Sequence, residues 1–176
     1  DKQPIEHEIF EVNYDISAAE KGGYEYFMMK EIQEQPRAVR TCIGSRMRED
    51  GEIVLDKIRL TEEQIKKIGR IYIVACGSAW HAGIVAKYVI EEIARIPVEV
   101  DLASEFRYRR PILSQDDLCI AISQSGETAD TLAALREARA NDVYVLSIVN
   151  AVGSTIARES DDVLYTMAGP EIAVAT

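Results

Sequence analysis

Short apolar runs rich in β-branched residues alternate with longer mixed stretches through the second half of the chain. Continuous apolar runs of this length are typical of strands buried on both faces of a parallel sheet. The runs predict five strands, over residues 71–76, 98–102, 118–122, 143–149 and 163–167. The stretches between them predict helices, from just after Gly77-Ser78 to about Ala94 and over 104–109, 130–140 and 154–157.

The alternation of strands and helices fixes the predicted fold class. Consecutive strands joined by helices form right-handed crossovers and a mostly parallel sheet. We therefore predict an α/β, doubly wound, flavodoxin-like fold with a five-stranded parallel sheet. For five strands the expected order is 2-1-3-4-5, in which the order reverses between the first and the third strand.

The first third of the chain has weaker patterning. We interpret residues 1–23 as an arm or linker and residues 24–176 as one domain with N-terminal lead-in helices. Apolar residues close to helical spacing predict a helix from Tyr24 to Glu34. Pro36 is expected to end it, because the residue before a proline avoids the helical region, and a second helix should run from Pro36 to Met47.

Two local signals precede the first strand. Asp50-Gly51 predicts a turn, since both residues favour turn conformations. Thr61 is expected to be the N-cap of a short helix that ends near Lys67, because a threonine hydroxyl can accept a hydrogen bond from a free N–H of the first turn.

Composition and charge exclude several classes of function. The chain has 176 residues, 20 basic and 30 acidic, so its formal net charge is −10. That balance argues against nucleic-acid binding, which needs a basic patch, and favours a solvated helix or a protein contact for the basic cluster at 105–110. The longest apolar stretches are too short to span a bilayer, and the acidic N-terminus does not resemble a signal peptide.

Cysteines and histidines point to a reducing compartment without metal chemistry. Cys42, Cys76 and Cys119 form no CxxC pair, which favours a cytoplasmic location. Cys76 and Cys119 lie in apolar runs and are expected to behave as small buried hydrophobes. His7 and His81 are isolated, so we predict no metal site and no cofactor.

The candidate ligand site lies where the strand order reverses, at the carboxyl ends of the first and third strands. The loops there, 77–79 and 123–128, both lead into helix N-termini, which offer unpaired N–H groups to an anion such as phosphate. Neither loop contains Lys or Arg. The neutral side chains that could donate to the anion are Ser78, Ser123, Gln124, Ser125 and Thr128.

A purely structural interpretation of these hydroxyls stays open. Ser78 and Thr128 could be ordinary N-caps, and Ser123 and Ser125 could satisfy a turn. No nucleotide-binding P-loop and no GxGxxG motif is present. Glu127 is the only carboxylate in the two loops, and we expect it to stabilise a helix start rather than to transfer protons.

Four segments together resemble one enzyme family. They are SQSGETADTLAALREA at 123–138, ACGSAWHAG at 75–83, ASEFRYRRP at 103–111 and KGGYEYFMMKEIQEQP at 21–36. SQSGET after a strand is typical of sugar isomerase (SIS) domains. The other segments resemble the first SIS domain of glutamine–fructose-6-phosphate aminotransferases, over about residues 14–176.

The resemblance implies a set of substrate-binding residues for fructose 6-phosphate or glucosamine 6-phosphate. Those that would contact the phosphate or a neighbouring hydroxyl are Ser78, Ser123, Gln124, Ser125 and Thr128. Those that would lie beside the sugar are Val174 and Thr176. The family often has two hydroxyl residues after the first glycine, and the second is Ala79 here, so one phosphate contact is missing or replaced by water.

The resemblance also implies what lies elsewhere in the parent protein. A glutaminase domain would supply the nucleophile that frees ammonia, and a second SIS domain with a C-terminal tail would supply the isomerising lysine, glutamate and histidine. We therefore expect no catalytic residue in this chain, a missing last helix, and a homodimer. The alternatives are a non-catalytic SIS sensor of phosphosugars and a dimerisation module.

Overall fold

A parallel sheet of five strands organises the molecule, and the computed structural model describes residues 19–55 and 58–173. The strand order is β2-β1-β3-β4-β5, and every neighbouring pair is parallel. This confirms the α/β class and the predicted order. The strands are β1 (Arg70–Ala75), β2 (Val98–Leu102), β3 (Asp117–Ser123), β4 (Tyr144–Val149) and β5 (Asp162–Tyr165).

Helices cover both faces of the sheet. They are α1 (Phe27–Gly44), α2 (Glu62–Lys67), α3 (Gly77–Ile93), α4 (Ala103–Phe106), α5 (Ala129–Ala140) and α6 (Thr155–Glu159). Successive residues of a strand point to opposite faces. Ile73 accordingly joins the apolar cluster that includes Ile90 of α3, whereas Tyr72 and Val74 join the cluster that includes Leu135 of α5.

Gly83 allows α3 to approach the sheet closely. A Cβ atom at this position would lie 2.9 Å from Cγ2 of Ile73 and 3.1 Å from Cγ1 of Val100. Those contacts are tighter than packed side chains tolerate, so glycine is required for this packing distance.

The prediction that Pro36 ends the first helix is wrong. Residues Phe27–Gly44 form one helix with Pro36 inside it. Proline removes one backbone hydrogen bond, the bond that an N–H at this position would donate to the carbonyl of Ile32. An 18-residue helix retains enough other bonds to continue through the defect.

Local predictions ahead of β1 are confirmed. Thr61 caps α2 through its hydroxyl, which accepts from the N–H of Gln64 at 3.2 Å, and the Gln64 side chain accepts in return from the N–H of Thr61 at 2.9 Å. A turn forms at Asp50-Gly51, where Gly51 has a φ of +85°. Left-handed backbone of this kind favours glycine.

The arm predicted for 1–23 falls mainly on residues 1–18, outside the described residues. Arg109 of the basic cluster pairs with Glu99 and Asp101 of the same chain. All three cysteines are free. Cys119 is fully buried as expected, and burial raises the pKa of its thiol to about 12, whereas Cys76, also expected to be buried, is only partly buried at the N-cap of α3.

Candidate functional site

Two loops meet at the carboxyl edge of the sheet, where β1 and β3 lie side by side. Ala75 at the end of β1 pairs with Ile122 near the end of β3. The connection after β1 is very short, because α3 begins at Gly77 and Cys76 occupies its N-cap position. Ser78 therefore lies exposed in the first turn of α3 and is not a cap.

The loop after β3, residues 123–128, is fixed by its neighbour on the β4 side. The carbonyl of Gln124 accepts hydrogen bonds from the N–H groups of Asn150 and Ala151, at 3.0 and 3.2 Å. The carbonyl of Gly126 accepts from the N–H of Ile156 at 2.9 Å. Two carbonyl oxygens that would repel an anion are thus occupied by the connection between β4 and α6.

Gly126 is the residue that this packing requires. Its φ is +64°, and a Cβ atom there would lie 2.0 Å from the Oγ atom and 2.5 Å from the Cβ atom of Ser154. Ser154 is itself 6% exposed. No side chain fits between the loop and α6, so the backbone of the loop lies directly against the start of that helix.

The hydroxyls of the loop differ in burial and in the hydrogen bonds that they make. Ser123 is buried, and its Oγ atom accepts from the N–H of Gly126 at 3.0 Å and lies 2.9 Å from the Oγ1 atom of Thr128. Ser125 is exposed, and its Oγ atom accepts from the N–H of Glu127 at 3.2 Å. An accepting hydroxyl still has its own proton to donate, so Ser125 can satisfy the turn and bind an anion together.

The N-terminus of α5 presents unpaired donors. The N-cap of α5 is Thr128, whose hydroxyl makes no capping bond. The first hydrogen bond of this helix runs from the N–H of Leu132 to the carbonyl of Thr128. The N–H groups of residues 129–131 therefore precede the hydrogen-bonded ladder, at the positive end of the helix dipole.

Both carboxylates near this helix start are compensated. The Oε1 atom of Glu127 accepts from the N–H of Thr155 at 2.7 Å, and this bond, with a weaker one from the Thr155 hydroxyl, lowers the pKa of Glu127. Glu127 thus stabilises a helix start, although the helix is α6 rather than α5. Asp130 pairs with Arg107 at 2.9 Å.

Two residues that support the site were not predicted from the sequence. Arg107 comes from the end of α4, and nothing in either loop signals its presence. Asn150 follows β4 directly, and a polar residue at the end of an apolar run was the signal available for it. Of the predicted set, Gln124 is half-buried in the loop, while Val174 and Thr176 lie outside the described residues.

The remaining chemistry of the described part of the chain is sparse. Within residues 19–55 and 58–173, no three His, Cys, Asp or Glu side chains cluster as metal ligands would. In the same ranges no helix has the length and apolar character that crossing a membrane demands. A cavity of about 370 Å³ lies at the opposite, amino edge of the sheet, beside Lys67, Asp117 and Tyr144.

Comparisons with known proteins agree with one another. A family model described as the SIS domain matches residues 64–176. The chain is 61% identical over 168 residues to a glutamine–fructose-6-phosphate aminotransferase of Caldanaerobacter subterraneus, covering 96% of this chain and 28% of the relative. It is 60% identical to the enzyme of the same name from Clostridium acetobutylicum, covering 99% of this chain and 29% of the relative.

A solved structure extends this likeness to three dimensions. The C-terminal domain of glucosamine-fructose-6-phosphate aminotransferase from Francisella tularensis superimposes with a TM-score of 0.83 at 45% identity. The match covers 89% of this chain and 44% of that one. The chain thus spans 28% of the length of its first curated relative and less than half of the solved domain.

Proposed function

The chain belongs to the SIS domain family, and from this membership we propose that it is the phosphosugar-binding part of a glutamine–fructose-6-phosphate aminotransferase. The support is the 61% identity to such a protein over almost the whole chain. The relatives are more than three times longer, so the activity of the whole protein would need segments beyond this one.

The observation that carries the proposal is the arrangement of the 123–128 loop. The carbonyls of Gln124 and Gly126 accept hydrogen bonds from the N–H groups that follow β4 and start α6. The Ser125 hydroxyl and the first N–H groups of α5 remain able to donate to a ligand. Because the fold already holds these donors in place, binding a phosphate does not carry the entropy cost of ordering them. Neither loop supplies a cation, so the helix dipole and neutral donors would provide the attraction.

Each predicted site residue then has a proposed role. Ser125 and Thr128 donate to the phosphate, and Ser123 holds the shape of the loop while sharing a hydrogen bond with Thr128. Gln124 and Ser78 contact the phosphate or a neighbouring hydroxyl. Val174 and Thr176, which lie outside the described residues, are assigned to the sugar by the family resemblance.

We propose that the chain binds fructose 6-phosphate or glucosamine 6-phosphate without converting it. The one carboxylate of the loops, Glu127, is hydrogen-bonded to Thr155 and has a lowered pKa, which does not suit a group that must exchange protons near neutral pH. A glutaminase domain and a second SIS domain of the parent protein would supply the catalytic groups. The parent protein would be a cytoplasmic homodimer.

Calorimetric titration tests this proposal. The chain should bind fructose 6-phosphate and should not bind fructose, and incubation with fructose 6-phosphate and glutamine or ammonia should give no glucosamine 6-phosphate. Ser125→Ala should weaken binding by about ten- to a hundredfold, because a hydrogen bond to a charged group contributes about 1.5–3 kcal/mol. The control Ser45→Ala changes another exposed serine, whose hydroxyl donates to the Cys42 carbonyl and accepts from Arg46, away from the 123–128 loop.

Each outcome discriminates between functions. A chain that binds no phosphosugar would contradict the proposal and leave a dimerisation module. Unchanged affinity with a lowered melting temperature in Ser125→Ala would assign that hydroxyl to the turn alone. Binding without turnover, even after the missing segments of a relative are supplied in trans, would favour a non-catalytic sensor.

A further inference from the structure

Asn150 connects two segments of the carboxyl edge that are distant in sequence. It follows β4 directly, and the residue is 6% exposed. Its Nδ2 atom donates to the carbonyl of Gly169 at 2.6 Å. Its Oδ1 atom accepts from the Thr166 hydroxyl at 2.8 Å and from the N–H of Ala168 at 2.9 Å. The side chain is thus committed to the segment that leaves β5.

The backbone at the same position holds the other segment. The N–H groups of Asn150 and Ala151 donate to the carbonyl of Gln124 in the loop after β3. In the sheet, β4 lies between β3 and β5. Asn150 therefore lies between the two exits, with its main chain bonded to one and its side chain to the other.

The segment that leaves β5 would not keep its shape unaided. Met167 has a φ of +54°, a left-handed conformation that costs a residue with a Cβ atom free energy. Such a conformation persists only where the surroundings determine it. The three side-chain bonds of Asn150 reach residues on both sides of Met167, namely Thr166, Ala168 and Gly169.

We propose that Asn150 is a positioning residue, which sets the placement of the β5 exit segment relative to the loop after β3. This inference rests on the proposed function. The loop would hold the phosphate of a hexose 6-phosphate near the reversal of strand order, and the exit segment, residues 166–169, would lie beyond β4 on the same carboxyl edge, where the sugar would extend. Asn150 then governs recognition of the sugar and not of the phosphate.

The two halves of the Asn150 network can be separated by substitution. Asn150→Ala removes the three side-chain bonds to the exit segment and leaves both main-chain bonds to Gln124. A purely structural role predicts equal loss of all ligands, whereas a positioning role predicts loss of sugar recognition alone. The ratio of the affinities for fructose 6-phosphate and inorganic phosphate distinguishes the two.

The experiment measures both affinities by calorimetry in the 176-residue chain. Asn150→Ala should lower the affinity for fructose 6-phosphate by about tenfold or more and the affinity for inorganic phosphate by less than about twofold. The control Asn141→Ala removes an exposed amide at the end of α5, bonded to the Glu137 carbonyl, and should change neither affinity.

The outcomes separate this inference from the proposed function. A wild-type chain that binds neither ligand would contradict the proposed function, and the inference with it. If Asn150→Ala weakens the binding of both ligands equally, or of neither, the positioning role alone is overturned. The same holds if the wild-type chain binds fructose 6-phosphate no more tightly than inorganic phosphate. Should Asn150→Ala fail to fold, Thr166→Val removes a single bond of the network, and the same change in the affinity ratio, though smaller, is then required.

Discussion

At the scale of single residues, two buried serine hydroxyls differ in whether they have a hydrogen-bond partner. The Ser123 hydroxyl has two partners, whereas the Ser147 hydroxyl has none among the described residues, although Ser147 is fully buried. Leaving a buried polar group unpaired costs about 1–3 kcal/mol. Ser147→Ala should therefore keep or raise the free energy of unfolding in urea, while Ser123→Ala should lower it by about 1–2 kcal/mol. The reverse order would contradict this accounting.

Gly126 provides the sharpest steric prediction. Gly126→Ala would force a Cβ atom onto the Ser154 side chain and into a positive φ, so we expect a loss of more than about 2 kcal/mol in the free energy of unfolding. Adding Ser154→Gly removes the clashing atoms and should recover part of that loss. Gly44→Ala is the matched control, because a Cβ atom there meets nothing within 4 Å. Equal stability of the two alanine variants would refute the steric argument.

At the scale of elements, strands were predictable and the first helix was not. The apolar runs marked β1 and β3 most clearly, because a strand buried on both faces needs apolar residues at nearly every position, whereas β2, β4 and β5 are only partly buried and were located by shorter apolar runs. The α1 helix carries exposed Met29, Ile32 and Val39 on its surface, and local rules placed its end at Pro36. Those rules consider only the residues next to the proline. They do not include the hydrogen bonds of the helical residues on both sides, which here are enough to continue the helix.

The start of β5 contains an ion cluster whose effect depends on pH. Burial alone would raise the pKa of Asp162, but hydrogen bonds from the Tyr144 hydroxyl and from Arg59 outweigh it, so the pKa is lowered. The carboxylate therefore stabilises the fold above the usual carboxyl pKa of about 3.9, and this stability is lost as the pH falls through the lowered value. Burial, together with the bond to Asp162, raises the pKa of Tyr144 to about 12.

Urea unfolding as a function of pH tests this cluster. As the pH falls below about 4, the wild type should lose more stability than Asp162→Asn, which has no carboxylate to protonate at this position. Between about pH 10 and pH 12 the wild type should lose more than Tyr144→Phe, because the tyrosine ionises readily only when unfolded. Parallel curves for wild type and variant in either range would rule out the corresponding contribution.

The candidate site was predictable in its position and not in its supports. Ser123, Ser125 and Thr128 could be located because the strand order dictates where loops meet. The donors that fix the loop come from Asn150, Ala151 and the start of α6, and each lies 26 or more residues along the chain from the carbonyl that it binds. Such partners depend on the final packing of three neighbouring strands, and no local pattern encodes them.

At the scale of the whole molecule, α3 has more apolar residues than those that pack against the sheet. Ala86 and Ile90 pack against the sheet. Four further apolar residues of α3 are exposed, with exposed fractions of 50–78%, and we call them the α3 stripe: Val85, Tyr88, Val89 and Ile93. Exposed apolar patches often mark protein–protein contacts, so this stripe is the surface on which we expect the proposed dimer to form.

Light scattering of a charged variant tests that expectation. The wild-type chain should be a dimer at high concentration, and Val85→Glu combined with Val89→Glu should make it monomeric, because two buried, unpaired carboxylates on each subunit cannot be desolvated cheaply. Ile112→Glu is the control, since Ile112 is 84% exposed yet lies outside α3. The melting temperature of each variant at low concentration shows whether its fold is intact. A monomeric wild type, or a double variant that remains dimeric, would remove the α3 stripe as the site of assembly.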